Sequence, residues 1–426
     1  MKFLISVFIF SLFCTNAWTD EKNISKKTIA PEKVAPKLLL KNGDVVAICG
    51  DEITSIGLYP YYIEIYQLVC CPTPKVTFKN FGQYKEPTAQ FPKVMDRKII
   101  PSKPTVATIC YGMYDSLSLK LMSTEQADAW GSGDIRPIIK KFKENGVRMI
   151  VLGSPGVVDP KRFMLPDRQF VDSKGADITN KNLRLLRDKA ERIAMEEGVE
   201  FADIHNSMME VILKVKEKNN KNYSFPGDGS YGMDGIMPGN AGHLVMAWTF
   251  LKEFGYSGDI GTITIDFVKN SAQTTAGQKI VSYKSGVVKV ESLRYPFCFS
   301  GTDTSNFIHE FISFNEDLNR YMLVVKDAPI STKITWGDHS KVYDSATLAK
   351  GINLAAEFRL NPFFHPFNKL LDSIKRRDEA YDSLENVHKN GEPDVWKPKF
   401  EAMLKDSLAK SVPKPVIHEI KIEPAN

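Results

Sequence analysis

The most informative segment of the chain reads Gly50-Asp51-Glu52-Ile53-Thr54-Ser55-Ile56-Gly57. It directly follows the apolar run Val45 to Cys49. A short apolar run that ends in glycine and acidic residues is typical of a buried β-strand that turns into a helix. Because the ligands of parallel α/β sheets bind beyond the carboxyl ends of the strands, we expect this segment to lie at a binding site.

Three further segments stand in the same kind of position. Two follow the predicted strands Val76 to Phe78 and Thr105 to Cys110, and the third leads into a predicted helix, Ala241 to Phe254. They read Asn80-Phe81-Gly82-Gln83-Tyr84-Lys85-Glu86, Tyr111-Gly112-Met113-Tyr114-Asp115, and Asp234-Gly235-Ile236-Met237-Pro238-Gly239-Asn240-Ala241-Gly242-His243.

In this order, the four segments resemble the blocks G-D-S-I-T-x-x-G, N-x-G-x-S-G-D, G-x-N-D and D-G-x-H-P-N-x-x-G-H of the SGNH (GDSL) hydrolases. The resemblance implies the fold of that family, a flavodoxin-like three-layer α/β/α parallel sheet. Strand-like runs that alternate with helical ones between Lys41 and Gly255 independently predict a parallel sheet covered on both faces.

The same resemblance implies that the esterase residues are replaced. The family's nucleophilic serine corresponds to Glu52, its two oxyanion-hole positions to Lys85 and Tyr114, and its catalytic histidine to Met237; Asp234 alone is kept. Loss of such a nucleophile costs on the order of 10⁶ in turnover, and each oxyanion donor is worth about 10² to 10³. The sequence therefore predicts a pseudo-esterase that binds a carbohydrate- or ester-type ligand, with Asp51, Lys85, Tyr114 and Met237 as ligand-binding positions.

An alternative stays open, because paired carboxylates can perform acid–base chemistry. Glu52 and Asp234 would then be the catalytic residues of an active hydrolase on carbohydrate or lipid esters. Against this, a helix N-terminus favours a charged carboxylate at Glu52, which makes it a weak base. We expect an ion pair between Glu52 and Lys85 to fill the former oxyanion hole.

Other residues with catalytic potential have simpler interpretations. Ser55 lies nearly one helical turn beyond Glu52, so we expect it to cap or to pack. His243 lies on the predicted helix after the fourth segment and is predicted to be structural. His205 could face the site, but no serine or cysteine is placed to use it.

The N-terminus predicts export. Lys2 is followed by the apolar run Phe3 to Phe13 and by small residues ending at Ala17, which is typical of a signal peptide and too short for the about 20 residues of a membrane span. The mature protein is predicted to be periplasmic or secreted, without a transmembrane segment. An odd number of five cysteines without regular spacing indicates buried thiols, although Cys49 and Cys110 could pair if their strands are neighbours.

The predicted organisation has five parts. Beyond Gly255 the chain alternates apolar and polar residues, as half-buried strands do, and then becomes helical, with Trp336 and Phe358 expected in the core. The parts are a signal peptide (1–17), a flexible lead-in (18–40), the SGNH-like domain (41–256), a β-rich accessory layer (257–343), and C-terminal helices and tail (344–426).

The composition of the chain argues against several classes of binding partner. The chain is 43% hydrophobic and 25% charged, and its formal net charge of +5 is too small and too evenly spread to predict nucleic-acid binding. No histidine, cysteine or carboxylate cluster has the spacing of a metal site, so no metal and no cofactor are predicted. The sequence leaves the oligomeric state open.

Overall fold

The computed structural model describes residues 37–165, 170–218, 225, 234–299, 308–390 and 396–425, with the backbone alone for 385–390. The predicted signal peptide (1–17) and most of the predicted lead-in (18–36) lie outside these residues. In the part of the chain that is described, no helix is long and apolar enough to cross a membrane.

Five parallel strands form the central sheet. They lie side by side in the order β2-β1-β3-β4-β5, which is the flavodoxin-like order, so the predicted fold class is confirmed. Their bounds are β1 Val45–Gly50, β2 Thr77–Gly82, β3 Val106–Cys110, β4 Met149–Gly153 and β5 Glu200–Ala202.

Alternate residues of the central strands supply two separate cores. Ile48 and Val106 point into one, and Ala47 and Ile109 into the other. Since both faces of the strands are buried, the sheet must be covered by helices on both sides. The helices of this part are α1 Glu52–Ser55, α2 Leu58–Ile65, α3 Phe91–Val94, α4 Met113–Ser116, α5 Thr124–Trp130, α6 Arg136–Glu144, α7 Ser173–Glu197, α8 Ile204–Glu217 and α9 Asn240–Glu253.

The neighbouring strands β1 and β3 carry Cys49 and Cys110, but these two do not pair. Cys49 is aligned with Ile109, and Gly50 with Cys110, so the two thiols lie on opposite faces of the sheet. All five cysteines in the described structure are free, as the sequence indicated.

Two further sheets follow the central one. The first has four strands in the order β13-β10-β6-β7, and the second has five antiparallel strands in the order β12-β11-β14-β9-β8. Their bounds are β6 Asp259–Asp266, β7 Ser271–Thr274, β8 Gln278–Lys284, β9 Val287–Ser292, β10 Arg320–Lys326, β11 Ser331–Trp336, β12 His339–Asp344, β13 Ile352–Asn353 and β14 Val416–Pro424.

The remaining helices lie between and after these strands. The two longest, α13 and α14, lie side by side along the C-terminal part of the chain. A buried ion pair between Arg377 of α13 and Glu64 of α2, with N–O distances of 2.5 and 2.8 Å, fixes α13 against the first domain. The helices are α10 Phe314–Leu318, α11 Ser345–Lys350, α12 Leu354–Glu357, α13 Phe364–Asn390 and α14 Lys397–Lys410.

The structure corrects the predicted C-terminal half in two places. The predicted helical region that starts at residue 344 is interrupted by the short strand β13, after Gly351 at φ +99°. The predicted tail contains β14, which lies at the centre of the five-stranded sheet. Along β14 buried residues alternate with exposed lysines and glutamates. Because the exposed residues are charged, the strand is difficult to recognise from the sequence.

The end of the predicted flexible lead-in also differs from the prediction. Residues 37–40 pack against the helical layer: Leu40 is buried, and the Leu39 amide donates a 2.9 Å hydrogen bond to the Phe254 carbonyl oxygen. Residues 39 and 40, which the prediction assigned to the lead-in, therefore contact the first domain.

A buried polar cluster joins four strands of the two accessory sheets. The His418 ring on β14 accepts a 3.1 Å hydrogen bond at Nδ1 from the Trp336 indole of β11. Its Nε2 lies 3.1 Å from the Ser292 hydroxyl oxygen of β9 and 3.0 Å from the Tyr321 hydroxyl oxygen of β10. Burial lowers the pKa of His418 to about 3, so the ring is neutral.

Candidate functional site

Two glycines bring the first two strand ends into close contact. A Cβ atom on Gly50 would lie 2.0 Å from the Thr54 hydroxyl oxygen, and one on Gly82 would lie 2.1 Å from the Ser55 amide nitrogen. Asn80 then ties β2 to α1, because its amide donates a 2.9 Å hydrogen bond to the Thr54 carbonyl oxygen. The first two segments therefore form one turn-and-strand assembly at the carboxyl edge of the sheet.

Asp51 begins α1 and is almost completely buried. Its Oδ1 accepts a 3.0 Å hydrogen bond from the Ile53 amide, which caps the helix. Burial, followed by the charges of Asp115 and Glu52, raises the pKa of Asp51 to about 7. Asp51 is therefore partly protonated at neutral pH, unlike an ordinary capping aspartate.

Glu52, at the position of the family nucleophile, is held by Tyr114. The side chain of Glu52 is only 9% exposed, and its Oε2 accepts a short hydrogen bond from the Tyr114 hydroxyl. Burial, and then this hydrogen bond, raise the pKa of Tyr114 well above its usual range, so the phenol keeps its proton and donates it to the hydrogen bond. Glu52 and Tyr114, which the sequence placed at one site, therefore meet in the structure.

Lys85 lies nearby but does not make the predicted ion pair. No nitrogen–oxygen contact within 4.0 Å joins Lys85 and Glu52 in the described structure; the Lys85 ammonium instead lies 5.0 Å from the centre of the exposed Tyr84 ring. Interaction with Tyr84, and then the charge of Glu52, raise the pKa of Lys85. The backbone of Lys85 has φ +53°, a conformation that favours glycine, which agrees with its match to a family glycine.

Asp234 and Met237 belong to a turn of their own. Asp234 Oδ1 accepts hydrogen bonds from the amides of Ile236 and Met237, at 2.9 and 3.0 Å, and Met237 is buried. The Asp234 carboxylate therefore holds the backbone of its own turn. No hydrogen bond joins Asp234 to Glu52 among the residues that are described.

The space beneath these residues is small. A cavity of about 10 Å³ lies beside Asp51 and Tyr111, closed by Met113, Met208 and Met246. That volume accommodates about one water molecule. Any larger ligand would bind on the rim, where Tyr84 is 65% exposed.

Ser55 and the two nearby histidines do not form a replacement triad. Ser55 is exposed at the end of α1 and neither caps nor packs, in contrast to the prediction. His205 is buried, with its Nδ1 3.0 Å from the Gly156 carbonyl oxygen, and burial lowers its pKa. His243 is buried in α9 and stacks on Tyr59, with ring centroids 6.1 Å apart.

The sequence interpretation missed one polar residue of the site, Asp115. Its carboxylate accepts a 2.7 Å hydrogen bond from the Thr88 hydroxyl, which in turn accepts one of 3.1 Å from the Trp130 indole. Burial raises the pKa of Asp115. The signal was present, since Asp115 is the aspartate of the third block.

The search of solved structures finds chains similar to this one. BT4096, a gut microbial diltiazem-metabolizing enzyme, is 22% identical, with a TM-score of 0.67 over 92% of this chain and 100% of its own. A catalytic mutant of Axe2, an acetylxylan esterase from Geobacillus stearothermophilus, is 20% identical over 51% of this chain and 96% of its own, with a TM-score of 0.39. LAE5, an alpha/beta hydrolase enzyme from the metagenome of Lake Arreo, Spain, is 17% identical over 51% of this chain and 98% of its own, also with a TM-score of 0.39.

The sequence matches no family model, and a search of curated proteins finds no match either. The strand order and the match to BT4096 show the class of the protein: it has the three-layer α/β/α hydrolase-like fold that the four blocks predicted. More narrowly, the likeness to BT4096 spans the accessory sheets and the C-terminal helices as well as the first domain.

Proposed function

We propose that this protein is an exported, esterase-like binding protein that holds a carbohydrate- or ester-type ligand without forming an acyl-enzyme. The observation that carries the proposal is the hydrogen bond from Tyr114 to Glu52. It joins the position of the family nucleophile to an oxyanion-hole position, so neither is available for its family role.

The remaining parts of the site support the same proposal. Acyl transfer needs a nucleophile, a base within hydrogen-bond reach and donors for the oxyanion. Met237 cannot act as a base, and the Asp234 carboxylate is engaged by two amides of its own turn. Glu52 accepts the hydrogen bond from Tyr114, which reduces the nucleophilicity of its carboxylate.

The rim of the site favours a polar ligand. Tyr84 presents an exposed aromatic face, and Lys85 presents an ammonium group beside it. An aromatic face can stack on a sugar ring, and the ammonium can donate to hydroxyl or ester oxygens. Since the cavity below holds about one water, the ligand would lie across these two residues and Tyr114.

Esterase assays test the loss of catalysis. The mature protein would be assayed on p-nitrophenyl acetate, acetylated xylo-oligosaccharides and diltiazem, the last because the similar chain BT4096 is described as metabolizing it. The comparison protein carries Glu52→Ser, Lys85→Gly, Tyr114→Asn and Met237→His together. We expect no turnover above background for the natural protein and measurable turnover for the fourfold variant.

Binding assays on the same compounds test the rest of the proposal. Tyr84→Ala is expected to weaken binding of a ligand on the rim, whereas Tyr381→Ala, which removes another exposed tyrosine on α13, serves as the control. Ester hydrolysis by the natural protein that is lost in Glu52→Gln would contradict the proposal and establish the alternative of an active hydrolase.

A further inference from the structure

A second site is formed by α13 and α14, independently of the cleft. A groove of about 330 Å³ lies between the two helices. On α13 it is lined by residues at positions 365, 368, 369, 372, 373 and 376, which follow one face of the helix. A seam between two packed helices is normally apolar at these spacings, but every one of these side chains is polar.

Charge distinguishes the groove from an ordinary solvated helix face. Lys410 on α14 is neutralised by Asp406, at 2.7 Å. Lys369 and Arg376 on α13 form no ion pair or side-chain hydrogen bond with any described residue, and Asp372 lies between them in sequence, also without an ion pair. The groove thus presents two free cationic side chains and one free carboxylate.

The floor of the groove offers oxygen lone pairs. Ser373 and Ser407 are buried there, and each hydroxyl donates within its own helix, to the carbonyl oxygens of Lys369 at 2.8 Å and Met403 at 2.7 Å. Their hydroxyl hydrogens are already used, so the two oxygens can only accept. A bare anion would be repelled by such a floor, while a ligand with hydroxyl groups would be bound by it.

The groove is held in a fixed position. Arg377, next to Arg376, points to the other side of α13 and makes the buried ion pair with Glu64 of α2. Successive helix residues are about 100° apart, so this anchor turns the neighbouring Arg376 outward toward the groove. The ion pair therefore fixes the helix backbone that carries Arg376 against the first domain.

We propose that this groove binds a sugar acid. The carboxylate of a uronate would pair with Arg376, whose planar guanidinium donates two parallel hydrogen bonds, and with Lys369. The sugar hydroxyls would donate to Asp372, Ser373 and Ser407. The volume is at the lower end of the about 300–1,000 Å³ that is usual for small-molecule sites, which fits one or two sugar rings.

Calorimetric titration of the full chain tests the proposal. The probes are glucuronate, trigalacturonate, neutral glucose and inorganic phosphate. We expect saturable uronate binding, with glucose and phosphate each at least about tenfold weaker, because each lacks one of the two recognised groups. Tighter binding of trigalacturonate than of glucuronate would identify a polymer as the source of the uronate, and equal binding would identify the free sugar acid.

Variants connect binding to the groove. Arg376→Ala is expected to weaken uronate binding by at least about tenfold, and Asp372→Asn to weaken it by a smaller factor. The control is Lys375→Ala, which removes a charge from the same helix outside the groove. Thermal unfolding shows whether each variant is folded. If Arg376→Ala fails to fold, uronate binding by Asp372→Asn, which changes only an exposed group, tests the proposal instead. Absent uronate binding, binding that is unchanged in both variants, or equal binding of phosphate would each overturn the proposal.

Discussion

Two buried polar regions of this molecule, the cluster around His418 and the surroundings of Glu52, differ in a way that bears on catalysis. In the cluster around His418, a serine hydroxyl lies 3.1 Å from a histidine nitrogen, which is the spacing of a nucleophile and its base. At the carboxyl edge of the central sheet, Glu52 is instead bound by Tyr114, and the ring of His205 lies 3.0 Å from the Gly156 carbonyl oxygen.

A serine and a histidine at this distance can act as nucleophile and base only if the histidine nitrogen is free to accept a proton and a substrate can reach the serine. An indole nitrogen can only donate, so His418 Nδ1 accepts from Trp336 and the neutral ring carries its hydrogen on Nε2. Nε2 then cannot take a proton from Ser292, and all of these groups are buried. The accessory cluster therefore stabilises the fold, whereas at the carboxyl edge Glu52 is paired with Tyr114.

The largest effect is expected for His418→Ala. This substitution leaves the Trp336 indole and the Ser292 and Tyr321 hydroxyls without their common partner and creates a cavity. We expect the free energy of unfolding to fall by about 3–5 kcal/mol, measured by chemical denaturation. His339→Ala, at an exposed position of the same sheet, is the control and should cost under about 0.5 kcal/mol. Equal costs for the two variants would show that the cluster is not structural.

Tyr114→Phe tests the other region. The nearly buried Glu52 carboxylate loses its hydroxyl donor, so we expect the free energy of unfolding to fall by about 2 kcal/mol. Tyr84→Phe, which changes an exposed ring nearby, is the matched control. If the stability of Tyr114→Phe is unchanged, water replaces the phenol at Glu52. The Glu52 carboxylate is then more accessible to solvent than this contact implies.

Asp51→Asn tests how the stability of the protein depends on pH through the Asp51 carboxyl group. The pKa of Asp51 is raised to about 7 in the folded protein, so its protonated form stabilises the fold at acid pH, and this contribution is lost as the pH rises through about 7. We expect the natural protein to lose about 1 kcal/mol more than Asp51→Asn between pH 6 and 8. Asparagine also caps helices, so the cap itself is retained. Parallel pH profiles of the two proteins would contradict the assignment.

The smallest effect is expected for Lys85→Gly. Glycine relieves the left-handed backbone at φ +53° but adds freedom to the unfolded chain, so a gain below about 1 kcal/mol should remain. Lys103→Gly, at φ +51°, is the matched control and should behave in the same way. If thermal unfolding at low salt shows a clear loss of stability for Lys85→Gly but not for Lys103→Gly, Lys85 stabilises Glu52 after all.

The sequence predicted the central sheet well because its inner strands β1, β3 and β4 are buried on both faces. Continuous apolar runs such as Val45 to Cys49 and Met149 to Leu152 have no other simple interpretation. The accessory strand β14 was missed because it exposes charged or polar residues over much of its length. Its identity depends on neighbouring strands that lie far away in the sequence.

The site was predictable in its residues but not in its contacts. The four blocks identified Glu52, Lys85 and Tyr114 as neighbours, and the predicted Glu52–Lys85 ion pair followed from their charges. The observed partner of Glu52 is Tyr114, because α4 directs the phenol toward it. The backbone of Lys85 is left-handed, and its ammonium group lies over the Tyr84 ring. Such side-chain directions depend on backbone angles that the residue types alone do not specify.

The position of β14 has a consequence for biosynthesis. Within its sheet β14 is the last strand in the sequence, yet it lies at the centre, between β9 and β11. Until residues 416–424 have left the ribosome, β8–β9 and β11–β12 are only separate two-stranded hairpins, which are marginally stable in water. Translation must therefore run almost to the end of this sequence before the sheet can close, whereas every strand of the central sheet has already been synthesised by residue 202.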